Sequence, residues 1–93
     1  MSFISFKCPD TERLFTTGKS KRFSAFKLVA ERKLAQLDAA AHLDFLRTPP
    51  GNRLEALKGS RVGQYSIRNN DQWRLCFTWT SYGPTNVEIV DYH

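Results

Sequence analysis

The sequence predicts an α+β fold in which helices lie on one face of a small, mostly antiparallel sheet. Apolar residues recur at helical spacing in the first half, whereas in the second half they alternate with polar or small residues. Side chains alternate across a strand, so one face of the sheet is predicted to be apolar and the other polar and open. The helical stripe consists of Phe26, Ala30, Leu34 and Leu37, and the alternating set of Tyr65, Ile67, Trp73, Leu75, Phe77 and Trp79.

The first half predicts a short strand followed by helices. Phe3–Cys8 is rich in aromatic residues and is typical of a strand. Asp10 can cap a brief helix that Gly18 stops. Ser24 can cap the longer helix that carries the apolar stripe, and Asp38 can cap its continuation or a third short helix.

The second half predicts strands and turns. Residues 48–52 include two prolines and a glycine, which end the helical part of the chain. Asn69–Asp71 supplies a loop of three residues, an odd number that keeps the apolar positions of both flanking strands on one face. The last strand is expected at Asn86–Val90, and Leu54–Leu57 is expected to form a short strand before the hairpin.

The polar face of the predicted sheet carries the residues that suggest a functional site. Arg68 and Arg74 share this face by parity, and Tyr92 falls on it if the last strand stays regular. The same parity turns Asp91 and His93 to the opposite face. Arginines beside acid–base groups suit a phosphate substrate, although two arginines on a sheet are also typical of solvated charges.

The net charge of +5 is concentrated in the first third of the chain. Residues 1–33 hold eight Lys or Arg against three Asp or Glu, and the remaining residues hold six of each. The densest run contains Lys19, Lys21 and Arg22. Such a patch attracts polyanions by releasing counterions, and it is equally typical of a solvated helix face, so both interpretations stay open.

Length and composition limit the class of protein. The chain has 93 residues, 41% of them apolar, which is enough for one domain that we expect to span residues 1–93. No apolar run approaches the ~20 residues that cross a bilayer, and the N-terminus lacks signal-peptide features, so we expect a soluble intracellular protein. Cys8 and Cys76 are expected to be reduced thiols, and with only His42 and His93 besides them the chain predicts no zinc site.

An ordered set of short segments resembles one known family. The segments are Gly51–Gly59, Gly63–Arg68, Asn70–Phe77 and Val87–His93, with a looser likeness over residues 15–18 and 30–40. Together they closely resemble the HigB-type toxins of bacterial type II toxin–antitoxin systems, which belong to the RelE/ParE superfamily. The sequence is most similar to the branch that includes the GraT toxin.

The resemblance implies an activity, which is cleavage of messenger RNA on the translating ribosome without a metal or another cofactor. It further implies that Asp91, Tyr92 and His93 match the family's Asp-Tyr-His terminus and that Arg74 holds the scissile phosphate. Under this hypothesis His93 transfers a proton, Asp91 orients it and Tyr92 contacts the nucleotide. Further charge stabilisation is expected from Arg68 and Lys58, and RNA binding from the basic cluster of Lys19, Lys21 and Arg22.

One position departs from the family pattern. Many members carry a histidine in the segment that here includes Glu55. This chain therefore lacks the second histidine that a two-histidine acid–base scheme requires. Glu55 can take one proton role if its environment favours it, or it can be a surface residue. Two other functions stay open: a ParE-like poison of DNA gyrase, and a non-enzymatic RNA-binding module. The RNA-binding module is disfavoured because the strand aromatics fall on the core face, whereas such modules stack bases on exposed aromatics.

The resemblance also implies partners and a location. A toxin of this family is expected to pair with a HigA-like helix-turn-helix antitoxin and to act on the bacterial ribosome and its messenger RNA. Operator DNA is expected to be contacted only through the antitoxin complex. These partners place the protein in the bacterial cytoplasm, with no membrane partner.

Overall fold

The computed structural model describes residues 5–91, and these form helices packed against one four-stranded antiparallel sheet. The strands follow one another in space in chain order, so the sheet is a simple meander. The predicted α+β fold is confirmed. The main elements are α1 (Pro9–Thr17), α2 (Lys27–Ala39), β1 (Glu55–Ala56), β2 (Gln64–Arg68), β3 (Trp73–Thr80) and β4 (Gly83–Asp91).

The first helix begins two residues earlier than a cap at Asp10 would place it. Cys8 occupies the N-cap position without a side-chain hydrogen bond, and Pro9 is the first helical residue. Proline suits this position because its fixed φ is helical and the missing N–H has no helical partner there. Asp10 therefore lies inside the first turn of α1. The predicted stop at Gly18 is confirmed, with a left-handed φ of 70° and an N–H bonded to the carbonyl of Leu14.

The second helix carries three of the four residues of the predicted apolar stripe, and the fourth, Phe26, lies in the turn before it. Ala30, Leu34 and Leu37 are all fully buried. The predicted cap at Ser24 is wrong, because its hydroxyl donates to the carbonyl of Lys21 and a single 3-10 turn over Ser24–Phe26 precedes α2. Asp38 caps nothing, since α2 continues past it to Ala39.

The helical part ends in a short 3-10 segment over Leu43–Arg47, whose Leu46 is fully buried. A second such turn, Pro50–Asn52, falls in the predicted break. Within residues 5–91, neither α-helix is long and apolar enough to cross a membrane.

The segment predicted as an N-terminal strand is described only from Ser5 onward. There Phe6 forms a single parallel bridge with Val87, the N–H of Lys7 donates to the Val87 carbonyl at 3.0 Å, and the N–H of Val87 donates to the Ser5 carbonyl at 3.2 Å. This pairing lays residues 5–7 along β4 and brings Lys7 to that edge of the sheet.

The hairpin between β2 and β3 keeps the predicted faces but has a longer loop. Arg68 stands opposite Arg74, whereas a loop limited to Asn69–Asp71 would have placed it opposite Gln72. The loop is held by Asn70, whose Oδ1 accepts hydrogen bonds from the backbone N–H groups of Gln72 and Trp73, both at 2.8 Å. The pairing register shifts by two residues, an even number, so every side chain remains on its predicted face.

The last strand is longer than predicted and contains a bulge. It begins at Gly83 after a two-residue turn, and the register shifts opposite Phe77, where Asn86 takes a positive φ of 52°. Beyond the bulge Glu88 stands opposite Cys76, and Asp91 opposite Trp73. Asp91 is thus on the apolar side of the sheet, as parity predicts.

The core lies between the helices and the apolar face of the sheet. Its fully buried members include Leu14, Phe23, Leu34, Leu75 and Phe77. Trp73 and Trp79 pack against it at the margins, which confirms the predicted core role of the strand aromatics. The ring of Trp73 also meets Phe23 edge-on and stacks on Phe26, and these contacts join the hairpin to the start of α2.

Candidate functional site

The residues at the centre of the polar sheet face are buried. Ser66 and Cys76 are fully buried and Arg74 is only 8% exposed. Ser66 and Cys76 are cross-strand partners, and Arg74 lies two residues along β3 from Cys76, at the next position on the same face. A nearly buried arginine requires partners, and these partners define the site.

The Arg74 guanidinium is fixed by the strand beside it and by the loop before β1. Its Nε donates to the Ser66 hydroxyl at 2.8 Å, and its Nη2 donates to the Arg53 carbonyl at 2.7 Å. Nη2 also forms an ion pair with the Glu55 carboxylate at 3.1 Å. Bonds from two directions hold the plane of the guanidinium before any ligand arrives.

A pocket of about 280 Å³ opens beside this arginine. Arg53 and Arg68 join Arg74 in lining it, and the Glu55 and Asp71 carboxylates offset part of their charge. Arg68 and Arg74 stand directly opposite each other, an arrangement of like charges that costs free energy in a sheet. Each is compensated by its own carboxylate, since Arg68 pairs with Asp71 and Arg74 with Glu55.

The loop that presents Arg53 is anchored by a buried asparagine. Asn52 is fully buried, and its Nδ2 donates to the Leu46 carbonyl and to Gln36 Oε1, each at 3.1 Å. Its Oδ1 accepts a hydrogen bond from Lys33 of α2. Burial lowers the pKa of Lys33, and nearby Arg32 lowers it further. The next residue, Arg53, takes a left-handed φ of 47°, which turns its carbonyl toward Arg74.

The structure brings together three of the residues predicted from sequence. Arg68, Arg74 and Glu55 share the pocket. Asp91 lies outside it and accepts a hydrogen bond from Gln72 at 3.0 Å. Lys58 is exposed at the turn after β1 and is not among the lining residues. Tyr92 and His93 are outside the described residues.

The basic cluster of the first third divides into two environments. Lys19 and Lys21 line a groove of about 510 Å³ together with Arg13 and Lys27. Arg22 instead lies over the rings of Phe23 and Trp73 and forms an ion pair with Asp10 at 3.5 Å. The groove is therefore the part of this cluster best suited to an external anion.

Sequence reasoning missed two parts of the site. Arg53 supplies both a carbonyl that holds Arg74 and a lining side chain, but it follows a Pro-Gly break where no periodicity indicates a direction. Ser66 falls on the polar face by parity, but the pattern gave it no role, although it is the acceptor for Arg74 Nε. The one sequence feature that could have indicated this contact is parity, which places Ser66 and Arg74 on the same face of the sheet. Over residues 5–91 no three His, Cys, Asp or Glu side chains come together as metal ligands.

Helices packed on a four-stranded antiparallel sheet form the α+β arrangement of RelE-like toxins. The chain belongs to the HigB-like toxin family, since residues 4–93 match the family model described as the RelE-like toxin of the type II toxin–antitoxin system HigB. Membership in this family implies an antitoxin partner and, in general terms, a ribonuclease activity.

A named relative agrees with this assignment. The chain is 42% identical over 78 residues to Toxin HigB-1 of Vibrio cholerae serotype O1, a match that covers 82% of each protein. It is also 37% identical over 64 residues to an uncharacterized protein of Haemophilus influenzae, covering 69% of this chain and 62% of that protein.

Proposed function

We propose that this toxin is a ribosome-dependent endoribonuclease that cuts messenger RNA and thereby inhibits translation. The observation that supports this proposal is Arg74, whose guanidinium is fixed beside a pocket that Arg53 and Arg68 also line. Arginine matches the geometry of phosphate oxygens through paired donors, and three arginines around one small pocket suit a phosphodiester. Family membership makes RNA the expected source of that phosphate.

The proposed reaction needs no group beyond the RNA and the protein. The 2′-hydroxyl oxygen attacks the adjacent phosphorus, the bond from phosphorus to the 5′-oxygen breaks, and a cyclic phosphate and a 5′-hydroxyl result. A base takes the proton of the 2′-hydroxyl and an acid delivers one to the leaving oxygen. Arg74 neutralises the charge that develops on the phosphorane, and its fixed position limits the reorganisation that this requires.

Proton transfer is proposed for the end of the chain and for one residue of the pocket. The family resemblance proposes His93 as the proton carrier, with Asp91 orienting it and Tyr92 contacting the nucleotide. Among the described residues Glu55 is the best placed carboxylate, because it lines the pocket 3.1 Å from Arg74. A phosphate that replaces Glu55 at the guanidinium leaves this carboxylate beside the reacting atoms, where it can exchange a proton.

A second surface is proposed to hold the toxin on the ribosome. The groove lined by Lys19, Lys21, Arg13 and Lys27 collects four cations from α1, the following loop and the start of α2. Counterion release would drive its binding to ribosomal RNA. We further propose a HigA-like helix-turn-helix antitoxin that makes the operator DNA contacts for the pair, and the bacterial cytoplasm as the place of action.

The test is a cleavage map of one messenger RNA with purified protein, with and without translating ribosomes. Cuts that require ribosomes are expected from the unaltered chain and from Arg47→Ala, which removes an exposed arginine paired with Asp44. Arg74→Ala is expected to lower the cleavage rate by about 100- to 1,000-fold, as for other fixed donors to a reacting oxyanion. The cleavage rates of His93→Ala and Glu55→Gln, measured alongside, show which of these two residues the proton transfer depends on.

Folding must be controlled because Arg74 also holds Ser66 and the loop at Arg53. Arg68→Ala removes a more exposed lining residue and serves as the second variant. Full activity in folded Arg74→Ala would remove this residue from the chemistry. If the unaltered chain makes no cuts under any condition, the endoribonuclease proposal fails and a gyrase supercoiling assay tests the ParE-like alternative.

A further inference from the structure

A second cluster of charged residues lies at the β4 edge of the polar sheet face. Glu88 Oε2 is 3.4 Å from Arg61 Nη1 and 3.6 Å from Lys7 Nζ. Arg61 Nη1 also donates to Gln64 Oε1 at 3.0 Å, which fixes its direction. We call Lys7, Arg61, Gln64 and Glu88 the edge cluster.

The edge cluster has an excess of positive charge within reach of solvent. Two cations share one carboxylate, so one positive charge remains uncompensated within the cluster. The Lys7 side chain is 56% exposed and that of Arg61 is 36% exposed, whereas that of Glu88 is 12% exposed. An anion arriving from solvent would therefore meet the cations first.

One row of side chains connects this cluster to the Arg74 pocket. Glu55 stands opposite Ser66, Ser66 opposite Cys76, and Cys76 opposite Glu88, so the four share one face and one line across the sheet. Strands in a sheet lie about 4.8 Å apart, which separates the Cα atoms of Glu55 and Glu88 by about 14 Å. Each end of the row thus carries a carboxylate that is bound to an arginine.

The buried thiol in this row lies among cations from both ends. Burial raises the pKa of Cys76 to about 11, and Glu88 contributes to the increase, while Arg61, Arg74 and Lys7 oppose it. All three cations are therefore close enough to act on one side chain. The Arg74 pocket and the edge cluster thus lie on one face of the sheet, and each holds one more cation than carboxylates.

We propose that the edge cluster is a second phosphate subsite, which binds a flanking phosphodiester of the same RNA strand whose scissile phosphate lies at Arg74. This inference rests on the proposed function and extends it from one phosphate to a strand path across the sheet. Arg61 supplies a directed pair of donors and Lys7 a mobile point charge, a combination that holds a phosphate in one place. In the absence of a phosphate, the Glu88 carboxylate pairs with both cations.

The chain offers matched controls for a binding test. Asp44 and Arg47 form an exposed ion pair in the 3-10 segment Leu43–Arg47, outside the polar sheet face. Glu88→Gln and Asp44→Asn each remove one negative charge and release an arginine. Arg61→Gln and Arg47→Gln each remove one positive charge. Any effect of net charge alone appears equally in both members of each pair.

The probe is a short single-stranded oligoribonucleotide with 2′-O-methyl groups, which cannot be cleaved. Its dissociation constant is measured by fluorescence anisotropy over a range of salt concentrations. Arg61→Gln is expected to weaken binding by about tenfold and to lower the salt slope by about 0.7, the value for one phosphate contact to a single strand. Glu88→Gln is expected to tighten binding, and both Asp44→Asn and Arg47→Gln are expected to leave the slope unchanged.

Three results would overturn the subsite: an unchanged slope in Arg61→Gln, equal effects in Glu88→Gln and Asp44→Asn, or no binding of the probe by the unaltered protein at low salt. Glu88→Gln preserves the shape of the side chain, so the test does not depend on the folding of Arg61→Gln alone. Probe binding that requires Arg74 but ignores Arg61 refutes only the subsite. Absence of ribosome-dependent cleavage by the unaltered protein refutes the proposed function separately.

Discussion

Replacing Ser66 with alanine tests how the Arg74 guanidinium is held. The Ser66 hydroxyl accepts the Nε hydrogen of Arg74 at 2.8 Å, and Ser66 is fully buried while Arg74 is 8% exposed. Ser66→Ala removes only this hydroxyl and leaves a buried, charged donor without that acceptor. Hydrogen bonds to charged groups contribute about 1.5–3 kcal/mol, so we expect the free energy of unfolding to fall by about 2 kcal/mol.

The expected change in melting temperature follows from the size of the domain. An unfolding entropy of about 2.1 cal/mol/K per residue gives about 0.2 kcal/mol/K for 93 residues. A loss of about 2 kcal/mol therefore lowers the melting temperature by about 10 °C. Circular dichroism measures this directly, with Ser60→Ala as control, because Ser60 is exposed in the turn after β1.

A melting temperature of Ser66→Ala within about 2 °C of that of Ser60→Ala would show that this hydrogen bond contributes far less than a typical charge-assisted one. A second measurement addresses function. Under the proposed mechanism Ser66 positions Arg74, so ribosome-dependent cleavage at saturating ribosome concentration is expected to slow in Ser66→Ala. Ribosome affinity is expected to be unchanged, because Ser66 lies away from the basic groove.

Two further predictions concern the basic groove and the buried thiol. Reversing the charges of Lys19 and Lys21 is expected to weaken ribosome binding and to flatten its salt dependence by counterion release, as measured by cosedimentation at several salt concentrations; unchanged affinity would assign them to a solvated surface. Cys76 has its pKa raised from 9.0 to about 11, chiefly by burial, so the folded state holds a proton that the unfolded state loses first. The contribution of this thiol to the free energy of unfolding is complete below pH 9 and is lost as the pH rises toward 11. Urea titrations across that range should therefore show a smaller loss of stability in Cys76→Ala than in the unaltered protein. An equal loss in both proteins would contradict the raised pKa.

The sequence predicted the two-faced sheet because alternation is a local property of each strand. Placing Arg68 and Arg74 on one face required only the parity of their positions, and a register shift of two residues left this parity intact. The apolar stripe of α2 was predicted for the same kind of reason, since its spacing follows the helical repeat. The helix caps at Asp10 and Ser24 were wrong because proline and a 3-10 turn offered alternative starts.

The roles of individual polar residues could not be derived from these patterns. Glu55 was left open between proton transfer and the surface, and the structure shows its carboxylate paired with Arg74 at the pocket. Lys58 was expected beside the phosphate, yet it is not among the residues that line the pocket. A turn residue has no periodic direction, so only the folded loop determines where its side chain lies.

The sequence by itself determined the fold class, the separation of apolar and polar faces and, through its resemblance, the family. The tertiary structure decided that Arg74 is nearly buried and bound to Ser66, Glu55 and the Arg53 carbonyl. It also decided that Lys7 meets Glu88, from opposite ends of the chain. Periodicity predicts only which face of a single helix or strand a residue occupies. These partners come from segments 8 to 81 residues apart, and they meet only when the strands and loops have folded together.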